Sequence, residues 1–435
     1  MNSVAGVPAS NPISSTEAAL YRRVTWRILP VLLVCYMLAY LDRSNIGFAR
    51  LQMLSDLGFS ESVYGFGAGV FFLGYALCEV PSNFIMHRFG ARRWISRIMI
   101  TWGTLCALMM FVSTPTMFYG FRLLLGVAEA GLLPGAILYL TYWYPARRRG
   151  QIIASFMAAV PFAGAMGGPL SGYIMRQMSG VNGWTGWQWL FLLEGLPTVV
   201  IGLFVFFYLD DHVRDAKWLS ASEKTILAEN VTEDGKTASH TSMWSAVRDM
   251  QLWTFCAIYF GILLGLAALS FWLPAIISSI GVKDNFHIGL LSMIPYGTSI
   301  VGMVLFGRRA DARQERRWHM VSPLVIGAAG FSIIALGGNA TFVMVGLTMA
   351  AVGVTSSMGL FWALPTAVLR GTAAAGGIGL ISSAGIVAGF VSPYMIGTIK
   401  GLTHSIAPAL FVHSFFLLLS AVLVITRVPA RLVNK

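Results

Sequence analysis

YLDRSNIGFA, residues Tyr40–Ala49, sits inside an apolar run from Ile28 to Phe48, and RLLLGVAEAGLLPG, residues Arg122–Gly135, sits inside another from Met117 to Tyr139. Each run is long enough to cross a bilayer as a helix. Each also carries an acid and an arginine deep inside it: Asp42 and Arg43 in the first, Arg122 and Glu129 in the second. A charge in the hydrocarbon layer costs at least about 2.5–3.5 kcal/mol, so it persists only where it is paired, faces water or serves function. Arg122 and Glu129 are two helical turns apart and share a face, separated by about 10 Å along the axis. Asp42 and Arg43 are neighbours in sequence, point in different directions and cannot pair well with each other. Pairing between the two helices resolves this, as Asp42 with Arg122 or as Glu129 with Arg43, and the sequence leaves both open.

The surrounding composition sets the solvent. Of 435 residues, 56% are hydrophobic and 11% charged, with a mean hydropathy of +0.71. A soluble domain carries roughly 25% charge, so this is an integral membrane protein. Its long, unbroken apolar runs predict an all-α bundle, because lipid satisfies no backbone hydrogen bonds and alternation would mark a barrel. Twelve spans are expected, near 28–48, 64–86, 94–113, 117–139, 151–175, 187–209, 252–276, 287–307, 320–338, 341–365, 376–399 and 405–427. The net charge of +12 reports topology rather than a nucleic-acid partner. Arg50, Arg176, Lys283 and Lys400 fall in odd-numbered loops and Arg43 and Arg122 within the membrane; the other Lys and Arg gather in the tails and in or beside the even-numbered loops. That asymmetry predicts cytoplasmic tails (1–27 and 428–435) and a cytoplasmic linker (210–250) in an inner membrane.

The linker divides the chain into two six-helix halves, 28–209 and 251–427. Within it, Ser220 and Glu223 have capping-box spacing ahead of a short surface helix. The halves echo each other: HRFGARR (His87–Arg93) and GRRADARQERR (Gly307–Arg317) follow the second span of each, and Pro134 matches Pro365. Parallel half-repeats are a carrier architecture with the site between them at midplane. The glycine-rich stretches Gly65–Ala76 and Gly164–Gly172 predict close helix packing.

Several chemistries are excluded. The four cysteines (Cys35, Cys78, Cys106, Cys256) read as small buried hydrophobes. The seven histidines do not cluster at metal spacing, and no phosphate-binding loop is present. No enzyme, metal site or cofactor is expected. The charges point instead to coupling. Arginine stays protonated, so protonating its acid partner would release it to hold a carboxylate in a bidentate fork. Pure scaffold pairing between the two helices is the alternative. Glu79 is expected to tether the basic loop 87–97, and Glu194 in WQWLFLLEGLP is open between gate and scaffold. The second half lacks matching charges; Tyr259, Ser270, Trp272, Trp362, Thr366, Ser382 and Ser383 would offer an apolar, aromatic wall with a few hydroxyls.

YLDRSNIGFA, GYALCEVPSNFIMHRFGARRWISRIMITWG, RLLLGVAEAGLLPGAILYLTYWYPARRRG and WQWLFLLEGLP, with FWLPAII, ADARQERRWH and FWALPTAVLRGTAAAGGIG in the second half, closely resemble the anion:cation symporter family of the major facilitator superfamily. The likeness runs from about Arg22 to Pro429 and takes in tartrate, phthalate and 4-hydroxyphenylacetate permeases. It implies the twelve-helix major facilitator fold and proton-coupled uptake of a small organic anion by alternating access. It further implies proton coupling at Asp42 and Glu129, anion contacts or gating partners at Arg43 and Arg122, a substrate contact at Tyr75, and gating at Arg88, Arg92, Asp311 and Arg317. Two departures stand out. His87 replaces the acid usual in the first-half loop, and ISSAGI (Ile381–Ile386) replaces an INSIGN-like string, which shifts the expected ligand toward a less polar, aromatic carboxylate. An exchanger or uniporter using the same site, and a transporter-like sensor, are the competing readings. The expected partners are a small anion, a proton and the bilayer, with the monomer as the functional unit.

Overall fold

Proline marks some breaks in the membrane helices and not others: Pro30, Pro81, Pro274 and Pro393 lie inside unbroken helices. The computed structural model describes residues 15–232, 250–368 and 372–433, and within these the regular structure is helical. The first half comprises α1 (Ser15–Leu57), α2 (Glu61–Phe89), α3 (Ala91–Leu108), α4 (Pro115–Glu129), α5 (Leu132–Thr141), α6 (Ala146–Met157), α7 (Ala159–Gln177) and α8 (Gly186–Tyr208). A linker helix, α9 (Ala221–Thr232), leads to α10 (Met250–Ser279), α11 (Asn285–Arg313), α12 (Arg317–Leu336), α13 (Ala340–Phe361), α14 (Ala363–Val368), α15 (Thr372–Thr403), α16 (Ala407–Arg427) and α17 (Ala430–Val433).

Three expected spans are therefore split, as α4–α5, α6–α7 and α13–α14. Each split lies within a turn before a proline: Pro134, Pro161 and Pro365. Proline has no N–H for the carbonyl four residues back, so the helix loses a rung there. At Ala130 the orphaned carbonyl accepts the Ser82 hydroxyl at 2.7 Å, and Gly131 turns the chain with φ of +90°. Pro134 and Pro365 give the same break at matching places in the two halves. Among the described residues, eleven segments are long and apolar enough to cross a membrane. The remaining crossing is α6–α7, where an Arg-rich start and a Gly- and Pro-rich body lower the hydropathy.

The first helix starts well before the expected Ile28. Its extra turns carry Leu20, Tyr21 and Val24 on one buried face, and they dock onto the linker: Arg23 pairs with Glu223, and Asn230 Nδ2 donates to Tyr21 at 3.3 Å. The capping box forms as read, with the Ser220 N–H donating to Glu223 at 2.9 Å and the Glu223 N–H donating to Ser220 Oγ at 3.3 Å. The Ser220 amide holds the Glu223 carboxyl below its usual range. Its pairings thus persist at neutral pH and are lost only as pH falls through that lowered value. Ser220→Ala should cost about 1 kcal/mol of local helix stability, read as faster amide exchange confined to α9.

Glycine sets how closely α2 and α4 approach. A Cβ at Gly126 would collide with the Phe71 carbonyl, and one at Gly74 with the Leu123 carbonyl. Between the halves, close contacts gather at the end away from the basic loops. Gly65 lies against Pro393 and Gly397, Gly168 against Gly289, and Gly172 against Asn285. At the same end Tyr64 donates to the Phe271 carbonyl at 2.9 Å, Lys400 pairs with Glu61 at 2.8 Å and Arg176 pairs with Asp284 at 3.5 Å.

Candidate functional site

One end of the bundle is thus bolted, and the four membrane charges lie inward of the bolt. The register of α1 sends them two ways. Arg43 faces α4 and forms an ion pair with Glu129 at 2.5 Å; of the two pairings the sequence left open, this is the one observed. The Glu129 side chain is fully buried, while that of Arg43 keeps 18% exposure. The contact is single, since Arg43 Nε and Glu129 Oε2 make no hydrogen bond. The guanidinium lies over Tyr75 at 5.0 Å and Phe71 at 5.5 Å. Tyr36, one turn-pair before Arg43 on α1, is an electrostatic neighbour of both Arg43 and Glu129, and Glu79 is another neighbour of Arg43. Two cation–π contacts, each worth about 0.5–2 kcal/mol, hold the guanidinium in place without using its donors.

Asp42 faces the opposite way, into α3. Trp102 Nε1 donates to it at 2.8 Å and Cys106 Sγ at 2.6 Å. Arg122 does not reach it as an ion pair. The Arg122 side chain is buried and donates to the Gly67 and Ala68 carbonyls of α2, both at 3.2 Å, with Phe71 4.9 Å away. Through these two bonds Arg122 acts here as a strut between α2 and α4. Arg122→Gln is accordingly expected to lower the melting temperature, by leaving buried carbonyls with poorer donors, while ligand affinity of the folded fraction stays within a few fold. Thermal unfolding with and without ligand separates the two effects.

The second half supplies the aromatic wall. Tyr259 stacks on Phe361 at 4.7 Å and packs on Trp362 at 5.1 Å, and Tyr36 and Glu79 of the first half are its electrostatic neighbours. Ser382 is half-buried on α15. Thr366 lies outside the described residues as far as its side chain is concerned, as does His87. Trp272 sits elsewhere, fully buried in the bolted end, with Arg50 4.7 Å and Lys400 5.5 Å from its ring. Ser270 shares a hydrogen bond with Tyr40 at 3.1 Å across the halves, just beneath it. Of the residues expected to gate the basic face, Arg92 turns to Asp211 of its own half at 4.0 Å. Arg88 and Asp311 are exposed and Arg317 half-buried.

Sequence reasoning passed over Tyr36, Phe361 and the bolt residues Glu61, Arg50 and Lys400. The signal was available: Arg50, Arg176 and Lys400 are three of only four cations in odd-numbered loops, and each finds an acid. Tyr36 lies seven residues from Arg43, the spacing that shares a helix face.

A helical bundle tied at one end around a buried charge pair is an architecture found in membrane carriers. Residues 32–393 match the Major Facilitator Superfamily model, and the chain belongs to that superfamily. It is 47% identical over 421 residues to NicT, named for metabolite transport, from Pseudomonas putida, covering 96% of each chain. It is 45% identical over 410 residues to a protein named as a tartrate transporter from Agrobacterium vitis, covering 94% of this chain and 91% of the relative. The solved structure of the xylose transporter XylE from E. coli, in a partially occluded inward open conformation, superposes with a TM-score of 0.75 at 14% identity. That match covers 93% of this chain and 98% of XylE. The protein is a multi-pass transporter and not an enzyme.

Proposed function

We propose that the protein imports a small organic carboxylate by proton symport, with Arg43 as the anion site and Glu129 as the acid that competes for it. The observation that carries this reading is the single-contact Arg43–Glu129 pair, with Glu129 fully buried and Arg43 still 18% exposed. A guanidinium with unused donors beside a buried carboxylate accepts a second carboxylate only if the first is neutralised. Protonating Glu129 does this, and the incoming anion takes its place in a bidentate fork. One proton with a monocarboxylate moves no net charge. A dicarboxylate carried with one proton would work against about 2.3 kcal/mol per 100 mV, so it calls for more protons.

Tyr75, Tyr36 and the Tyr259–Phe361–Trp362 cluster suit the body of an aromatic or short hydroxy acid, in keeping with what the relatives are named for. In this reading both tails lie in the cytoplasm and the bolted end faces outside. The carrier needs no cofactor beyond the proton gradient, and one chain suffices. Uptake of labelled tartrate, phthalate and hydroxyphenylacetate into proteoliposomes tests the proposal. Uptake that rises with an inward proton gradient and collapses with a protonophore is expected; gradient-independent uptake would make the protein a uniporter or exchanger.

A further inference from the structure

The face of α1 away from Arg43 holds a second carboxyl that transport by Glu129 does not use. Asp42 is 3% exposed, Asn45 0% and Glu194 of α8 6%, and neither acid lies within ion-pair distance of a cation among the described residues. Both Asp42 oxygens have donors: Trp102 Nε1–H on one, Cys106 Sγ–H and Asn45 Nδ2–H (3.4 Å) on the other. As a carboxylate Asp42 is fully satisfied. Glu194 is not. Its Oε1 accepts the Ser171 hydroxyl at 3.1 Å, but Oε2 has no partner, and neither has Oδ1 of Asn45, the amide that hydrogen-bonds Glu194. Because the Asn45 side chain neighbours Glu194, a single proton on Oε2 would satisfy both acceptors by donating to the Asn45 oxygen, while the Asn45 nitrogen serves Asp42.

The surrounding charges point the same way. α1 contributes Asp42, α3 contributes Cys106, α4 contributes Arg122 and Glu129 as neighbours of Asp42, and α7 contributes only the uncharged Ser171. Arg122 is the lone cation of this set, and its donors are taken by α2. Two carboxylates in one buried cluster do not both ionise. We propose that Glu194 is a further proton-carrying site, protonated in this conformation and linked to Asp42 through Asn45, so that the acid on this face of α1 is a pair. This rests on the reading of Asp42 and Glu129 as proton-coupling acids; a proton taken by Asp42 would then leave the pair neutral and loosen α1 from α8.

Infrared difference spectroscopy of the purified full chain at neutral pH tests it. The band of a protonated carboxyl is expected in wild type and in Glu129→Gln, lost in Glu194→Gln, and retained at a shifted frequency in Glu194→Asp. A band absent from wild type, or unchanged in Glu194→Gln, would overturn the assignment. So would a Glu194→Gln protein that fails to fold, because a neutral group of the same shape fits where the acid is already neutral. In proteoliposomes Glu194→Gln should move the pH profile of uptake by tenfold or more in proton concentration, whereas a merely structural Glu194 would leave the profile in place. Gradient-insensitive wild-type uptake would sink the symport reading alone and leave the band assignment standing.

Discussion

Arg43→Gln is expected to abolish both uptake and ligand-induced thermal stabilisation. The glutamine keeps a polar amide but is shorter and loses the guanidinium charge that pairs with Glu129. Truncating one partner of a desolvated, hydrogen-bonded charge pair costs about 2–5 kcal/mol in binding, which at 1.4 kcal/mol per tenfold is on the order of 30- to 3,000-fold in affinity. The fold suffers too, because Glu129 is left buried with no cation in contact, at about 3–5 kcal/mol for a broken buried pair. The double variant Arg43→Gln with Glu129→Gln separates these effects. It removes the orphaned charge, so the melting temperature should recover most of the loss while ligand stabilisation stays absent. Arg43→Lys should retain weak binding, because a point charge replaces the planar fork. Ligand stabilisation surviving in Arg43→Gln would move the anion site elsewhere, and Arg122 could take the role only by releasing the α2 carbonyls.

How much of this could be read from the residues follows from what each reading depended on. The fold came from solvent physics: long apolar runs, sparse charge and basic loops constrain the chain whatever its neighbours are. The helix breaks were also written in Pro134, Pro161 and Pro365, although only the first and last were read, and as a repeat rather than as breaks. The four membrane charges stood out because lipid makes each one costly. Which of them meet depends on the rotation of α1 about its axis, where a turn of about 100° per residue separates Asp42 from Arg43. Periodicity could not choose, since α1 is buried on several sides. The partner of Arg122 was hidden for the same reason: its charge is legible in sequence, but the Gly67 and Ala68 carbonyls that take its donors are a tertiary fact. Trp272 looked like a ligand contact because its neighbours Arg50, Tyr64 and Lys400 come together only once the halves dock.

Those neighbours set the second large effect: Glu61→Gln should open the bolted end. Arg50 grips Glu61 through Nε at 3.2 Å and Nη2 at 2.5 Å, and Lys400 reaches the same carboxylate from the other half. Removing the charge leaves two cations facing each other over the Trp272 ring, with Arg50 only 7% exposed. Like-charge repulsion then replaces the tie that spans the halves, and a shift of about 1–3 kcal/mol between two conformers is a 5- to 150-fold change in population. A cysteine at Ser292, buried beside Gly168, reports the opening through its rate of maleimide alkylation in a background with Cys78→Ala. At least tenfold faster labelling is expected in Glu61→Gln and little change in Glu61→Asp. Gly289→Leu should act in the same direction by a different route, because its side chain would collide with the Gly168 carbonyl. The neighbouring tie resists acid. Burial alone would raise the Asp284 carboxyl, but the His287 amide and Arg176 outweigh it and hold it below the usual range. Its attraction for Arg176 is therefore present at and above ordinary carboxylate values and lost only as pH falls through the lowered one, so mild acidification should leave Ser292→Cys protected. Labelling unchanged by both Glu61→Gln and Gly289→Leu would mean that apolar packing around Tyr64 and Trp272 alone holds this end shut.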